Sequence, residues 1–407
     1  MGRLGSRRRI LVERWLNLWG RRVRGRAGRF PRGRDVHRVA PSASVLPDLI
    51  SPYGWDVARR SGRIGLPELR ALDPVRHPDR FRRVVQSRWS VESTGGSQPG
   101  DERLLQCARA VGTPVVDEAD GSRLTSDVDA WQRESYRQWA AALDSHRLEP
   151  HWEATGRPMV SITIATNRPA HLGSWLTQIA NQSHRNLQVV VAFHGDGFAS
   201  ADHETVRRTL GERGVDVVIV DAPSSLSLGA TLDLARARAD GDVILKWDDD
   251  DLYSSSHVFD LLRARHYSGA PLVGKACDFV YLGSRDVTVR RHQADRESFS
   301  PTLSGNTLMI DCEALDAVGG WSDMSLSEDR SLIARVRRAG GATYRTAGFG
   351  MIAVRQANLS QHTWKLDETA LVDGAVRTWP GLALNAALVD VPTDVSDAVR
   401  RLAAGVR

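Results

Sequence analysis

Cysteine is scarce in this chain: Cys107, Cys277 and Cys312 are the only three in 407 residues, scattered and odd in number. That spacing fits neither a disulfide framework nor a thiolate metal site, and the thiols read as small buried residues of a reducing cytoplasm. Long apolar runs are missing as well. No stretch approaches the ~20 residues that span a bilayer. The basic N-terminus lacks an uninterrupted apolar core followed by a small-residue cleavage site, so no secretory leader is expected. Acids are nearly absent from residues 1–38, where thirteen arginines face only Glu13 and Asp35. Since the whole chain carries a formal charge of +6, everything beyond that tail is net negative. A basic nucleic-acid groove along the body is therefore excluded, and nucleic acid is not an expected partner. With 41% hydrophobic and 26% charged residues, the composition is that of an ordinary globular protein. The length suggests two or three domains.

Within the tail, Leu11, Trp15, Leu18 and Trp19 recur at helical spacing among Arg7, Arg8, Arg9, Arg14, Arg21 and Arg22. Tryptophan with arginine suits an interfacial helix on an anionic membrane surface. A disordered basic extension, or a helix docked on the protein itself, fits the same residues. Residues 40–155 are expected to form an accessory region. Pro41, Pro47, Pro52, Pro67 and Pro74 break its first half into short pieces, and Ser93–Gly100 reads as a loop. Gly95-Gly96 is no phosphate loop, because no Lys-Ser/Thr follows. Leu104–Val111 reads as a helix, Thr113–Val116 as a strand and residues 128–147 as a Trp-rich helix, which together hint at a small α/β unit.

From Pro158 the pattern becomes regular. Strands are expected at Val160–Ile164, Leu187–Phe193, Val215–Val220 and Val243–Trp247, alternating with helices through Ala180, near His203–Leu210 and over Gly229–Ala239. That alternation predicts a largely parallel sheet covered on both faces. Ligands of such sheets bind beyond the carboxyl ends of the strands. The turns at Thr166–Arg168, His194–Gly197 and Asp248–Asp251 all fall there.

The last of these turns is four consecutive carboxylates, Asp248, Asp249, Asp250 and Asp251, after an apolar run. Such crowding is tolerable if solvent screens it or a hard divalent cation binds it. Mg²⁺ or Mn²⁺ favours one or two carboxylates plus substrate phosphates. On an extended chain Asp248 and Asp250 would point the same way. The plainer reading is a solvated acidic turn, with Asp251 capping the next helix.

Taken in order, Val160–Arg168, the Gly195-Asp196-Gly197 turn, Leu228-Gly229-Ala230, Gly241-Asp242-Val243 and Trp247–Tyr253 resemble family 2 glycosyltransferases of the GT-A fold. Downstream, Gly305–Ile310, Val318-Gly319-Gly320-Trp321 and Ser327-Glu328-Asp329 are similar to that family's acceptor-side strand, Gly-Gly-aromatic turn and Glu-Asp pair. The resemblance covers roughly residues 158–365, leaving 366–407 as an expected C-terminal helical extension. It implies an α/β, Rossmann-like, mostly parallel sheet and an inverting transfer of a sugar from a nucleotide-sugar donor to a hydroxyl of a glycan or lipid-linked acceptor. Thr166, Asn167 and Arg168 would lie beside the nucleotide, with His194 and Asp196 near its base. Asp248 and Asp249 would approach ribose and cation, with Asp250 the principal ligand of Mn²⁺ or Mg²⁺. Asp329, beside Glu328, would be the general base. Gly305, Asn306 and Trp321 would face the acceptor. The implied setting is the cytoplasm, at the inner face of the cell membrane if the tail binds there, in the synthesis of cell-surface polysaccharide.

Each piece has a simpler alternative. Acids at the start of a helix suit its dipole, which accounts for Glu328 and Asp329 without catalysis. His362 could add a metal or diphosphate contact or be structural, and Trp321 could stack on sugar or fill the core. Arg290–Arg296 reads as a mobile lid or as a solvated loop. The chain also departs from the family: Leu232-Asp233 stands where Arg-Asn is usual, and His194-Gly195 where Asp-Asp is usual. Two rival functions are a nucleotidyltransferase, which would carry a Gly-rich basic loop where Ala165–Pro169 stands, and a degenerate GT-A domain that binds glycan or membrane without turnover.

Overall fold

The computed structural model describes residues 63–72, 77–86, 90–93, 98, 101–110, 113–116, 127–291, 297–357 and 367–405. The arginine-rich tail, the Gly95-Gly96 loop, residues 292–296 and His362 lie outside the described residues.

Near the N-terminus β1 (Arg63–Gly65), β2 (Ser90–Glu92) and β3 (Val115–Val116) pair in parallel in that order. Ile64, Leu69, Phe81, Val85 and Val91 build a core of their own beneath the helices Pro78–Gln86 and Asp101–Ala110. Cys107 is buried in this unit, whereas Cys277 and Cys312 are only half-buried. The helix Val128–Leu143 starts at Asp127, whose side chain accepts from the backbone N of Asp129 and Ala130, and continues through a π turn into Glu149–Thr155. Its Trp131, Trp139 and Leu143, with Trp152 beyond, belong to the main core of the larger part.

In that larger part the strands are β4 (Val160–Thr166), β5 (Leu187–His194), β6 (Asp216–Ala222), β7 (Val243–Lys246), β8 (Leu252–Tyr253), β9 (Leu272–Lys275), β10 (Phe279–Leu282), β11 (Val287–Arg291), β12 (Ser298–Phe299), β13 (Met309–Asp311), β14 (Thr343–Thr346), β15 (Met351–Arg355) and β16 (Ala375–Pro380). The main sheet has eight strands in the order β12-β14-β9-β13-β7-β4-β5-β6. β7, β4, β5 and β6 are all parallel, and β13 runs antiparallel between β7 and β9. The β-branched run of β5 explains its place: Val189, Val190 and Val191 are all fully buried, as a strand covered on both faces requires. This is the α/β, mostly parallel architecture that the alternating pattern predicts. The crossover helices Leu172–Ala180, Ser200–Gly211 and Leu228–Arg236 return the chain so that four strand ends share one edge.

A second sheet, β16-β11-β10-β15-β8, stands beside that edge. β16 lies within residues 366–407, expected to be helical; the helices Glu368–Asp373 and Thr393–Ala403 are there, but β16 pairs antiparallel with β11 between them. Its residues are mostly exposed or half-buried, so no hydrophobic alternation announces the strand. Arg290 and Arg291 end β11, and Arg290 is buried against Asp129 at 2.8 Å.

Candidate functional site

After β7 the chain does not stay extended. Asp249 and Asp250 occupy a turn, so Asp248 and Asp250 are not placed by strand alternation, although both line one cleft. Asp249 and Asp250 instead share one partner, Arg168 from the loop after β4. Arg168 Nε donates to Asp249 Oδ2 at 3.2 Å, Nη2 donates to Asp249 Oδ1, and Nη1 donates to Asp250 Oδ2 at 2.6 Å. Thr166 Oγ1 donates to the same Asp249 carboxylate from the end of β4. Burial works against the Arg168 charge, but Asp250 and Asp249 outweigh it and raise its pKa.

Asp251 turns inward and caps no helix, since β8 follows it. Its Oδ1 accepts from Val354 N at 2.7 Å and its Oδ2 from Asn306 Nδ2 at 2.5 Å. Burial, with Asp250 and Asp248 adding to it, pushes this carboxyl well above the usual carboxylate range. Asp251 thus pins the turn to β15 and to the short 3₁₀ segment Gly305–Thr307. Asn306 is largely buried at the cleft lining, and its carbonyl also accepts from Tyr253 Oη at 2.9 Å.

The opposite wall is the start of the helix Glu328–Arg338. Ser327, in a left-handed conformation at φ 64°, swings the chain so that Glu328 and Asp329 open the helix. A Cβ on Gly305 would collide with Asp329 Oδ2, so glycine there permits the carboxylate's approach. Asp329 Oδ1 accepts from Arg330 N at 2.6 Å. Between the walls stands Lys246, which the sequence reading passed over. Its Nζ lies 2.5 Å from Asp248 Oδ1 and 3.7 Å from Glu328 Oε1. The signal was a lysine inside the run Val243–Trp247, a charge that a strand buried on both faces can hold only if it is paired.

Together these residues line a cleft of about 560 Å³, which gathers Arg168, Lys246 and Asp248–Asp251 with Gly305, Glu328 and Asp329. Several expected residues stand elsewhere. Thr166 lies beneath Asp249 rather than in the cleft wall, and Asn167 and Asp196 are exposed. His194 ends β5 half-buried, its Nε2 without a hydrogen-bond partner among the described residues. Trp321 is 3% exposed and packs with Leu232, Leu315 and Leu332 in the core, so it is not an acceptor wall. Asp233 accepts from Trp321 N at 2.7 Å and Leu232 is buried, which accounts for the departure at Leu232-Asp233 as part of this packing.

Among the described residues no three His, Cys, Asp or Glu side chains form a metal cage. The turn nevertheless suits a hard cation: its side chains offer only oxygen donors, and three of its carboxylates, Asp248, Asp249 and Asp250, share two nearby cations, Arg168 and Lys246.

No family model matches the chain, nor does any curated protein. Among solved structures, S. aureus TarS overlaps it at 14% identity with a TM-score of 0.39, over 48% of this chain and 36% of that one. TarS 1–349 in complex with UDP-GlcNAc overlaps at 16% identity and TM-score 0.40, over 51% of this chain and 61% of that one. Mannosyltransferase PcManGT from Pyrobaculum calidifontis, in complex with GDP-Man and Mn²⁺, overlaps at 16% identity and TM-score 0.40, over 66% and 83%. The chain thus spans less than two thirds of each of these TarS chains.

Proposed function

We propose that this chain is an inverting glycosyltransferase of the family 2, GT-A kind, using a nucleotide-sugar donor and Mn²⁺ or Mg²⁺. The observation that carries the reading is that two carboxylate groups from remote segments line one cleft, Asp250 in the turn after β7 and Asp329 at the helix start, with Lys246 bridging Asp248 to Glu328. One wall suits a diphosphate with its cation, and the other suits a proton acceptor. Asp250, with Asp248, would hold the cation, while Thr166 and Arg168 would fix Asp249 beside the donor. The turn at His194–Gly197 would border the base. A cation bound there would neutralise charge developing on the departing diphosphate.

Asp329 takes the proton of the acceptor hydroxyl as its oxygen attacks the anomeric carbon. The bond from that carbon to the diphosphate oxygen breaks on the opposite face, through an oxocarbenium-like state. A single displacement inverts the centre. Lys246 keeps Asp248 and Glu328 in place on either side. The acceptor would be a glycan or lipid-linked hydroxyl of cell-surface polysaccharide synthesis in the cytoplasm, with the arginine-rich tail suited to the anionic inner face of the membrane. No helix among the described residues is long and apolar enough to cross a membrane.

Calorimetric titration with UDP, GDP and dTDP, each with and without Mn²⁺, tests this reading. One nucleotide should bind in a metal-dependent way, and Asp250→Ala should abolish that binding. Asp329→Asn should keep it while sugar transfer falls by about 10²–10⁴-fold. Absence of binding for all three nucleotides would replace the transferase with a non-catalytic glycan-binding domain.

A further inference from the structure

Arg168 stands where the carboxylates of the turn would otherwise meet a cation. Two of its nitrogens hold Asp249 as a fork, and the third, Nη1, reaches Asp250 at 2.6 Å. The two contacts are unequal. The Asp249 side chain is 1% exposed and requires a permanent counter-ion, whereas that of Asp250 is 13% exposed and that of Arg168 30%. A guanidinium has five N–H donors and matches phosphate as well as it matches carboxylate. Nη1 can therefore leave Asp250 for a phosphate oxygen while Nε and Nη2 stay on Asp249.

We infer that Arg168 is a built-in competitor for the cation at Asp250, and that the donor's diphosphate draws it off. The inference rests on the donor-site reading above and concerns how that site fills. A divalent cation arriving alone must displace Nη1 and sit beside the positive charge of a guanidinium still held on Asp249. Arriving with a nucleoside diphosphate, it no longer competes with Nη1 for Asp250, because Nη1 has a new anionic partner. Cation and nucleotide bind as a coupled pair, and by linkage each tightens the other by the same factor. The cation site stays weak until a donor is present.

Electron paramagnetic resonance of free Mn²⁺, titrated with protein in the absence and presence of UDP, GDP or dTDP, reads this coupling without turnover. The wild-type chain should bind Mn²⁺ weakly alone and about tenfold or more tightly with its nucleotide. Arg168→Gln removes the competing charge. Arg168→Lys keeps a charge, but its single ammonium cannot hold Asp249 and reach Asp250 together. In either variant Mn²⁺ alone should bind about tenfold tighter than in wild type, and the gain from adding nucleotide should shrink. Thermal melts identify which variants are folded, and one folded variant decides. If Mn²⁺ alone binds a folded variant no tighter while wild type still binds nucleotide with Mn²⁺, the competition is disproved and the donor site stands. If wild type binds none of the three nucleotides with Mn²⁺, the donor-site reading falls and this inference with it.

Discussion

Lys246 shows how one buried charge organises two walls of a cleft. Its side chain is 5% exposed on β7, and burial alone would favour the neutral amine. Asp248 and Glu328 more than offset that and raise its pKa, so it stays an ammonium. Glu328 gains less from the arrangement: burial pushes its carboxyl up in spite of Lys246. A carboxyl whose folded pKa is raised takes up a proton on folding between its ordinary and its raised value. Stability therefore falls as pH climbs through that window, and the penalty is complete above it. Glu328→Gln should accordingly melt at or above the wild-type temperature at pH 7. The advantage should fade as pH is lowered toward the ordinary glutamate value of about 4.3. Melting curves across that range check the sign, and a lower melting temperature at pH 7 would mean that the attraction to Lys246 outweighs the cost of burial.

Among the elements, the helix Leu228–Arg236 does more than cover the sheet. Gly229 N donates to Met324 O at 2.9 Å, and a Cβ at Gly229 would collide with the carbonyl of Ser322. Gly320, at φ 74°, also packs close to Asp233, whose carboxylate holds the following Trp321 N. This helix thus positions the loop that leads into Glu328 and Asp329. Gly229→Ala should cost about 1–3 kcal/mol, because backbone rather than a flexible side chain must give way. Urea denaturation measures that loss. Turnover should fall more than nucleotide affinity, since the displaced loop carries Asp329 rather than the acidic turn. Of these residues, the Gly319-Gly320-Trp321 turn was legible in the sequence, but its tryptophan belongs to the core. A period-based reading cannot tell an aromatic that lines a cleft from one that fills the space behind it.

Across the whole molecule, buried ion pairs tie the helix Val128–Leu143 and the π turn after it to the sheets and their helices. Arg263 bridges Asp144, at 2.5 Å, to Asp260, at 2.9 Å, and Asp260 in turn pairs with fully buried Lys275 on β9 at 2.8 Å. Burial lowers the Lys275 pKa even with Asp260 beside it. Asp129 from the same helix is held by Arg290 on β11 and by Arg377 on β16. Asp260→Ala would leave two buried cations short of a counter-charge, and should destabilise the fold by about 3–5 kcal/mol. A denaturant midpoint that hardly moves would mean that water reaches Lys275 once the carboxylate is gone.

Much of the scaffold was determined by the sequence alone, because parallel strands buried on both faces need unbroken apolar runs, and those runs are visible one residue at a time. β4, β5, β6 and β7 each fall within a residue or two of where the pattern placed them. The shared edge of their carboxyl ends follows from the same alternation, so the acidic turn and the Thr166–Arg168 turn were legible as neighbours. Only the tertiary structure decided what the charges do. Asp251 faces inward to Val354 and Asn306, Arg168 lies across Asp249 and Asp250, and Lys246 reaches Glu328 from a strand more than eighty residues away. Those pairings depend on distances between segments remote in the chain, and local periodicity carries no information about which charge meets which. The strand β16 was hidden for a related reason: its place in a sheet comes from backbone pairing with β11, not from any apolar face of its own.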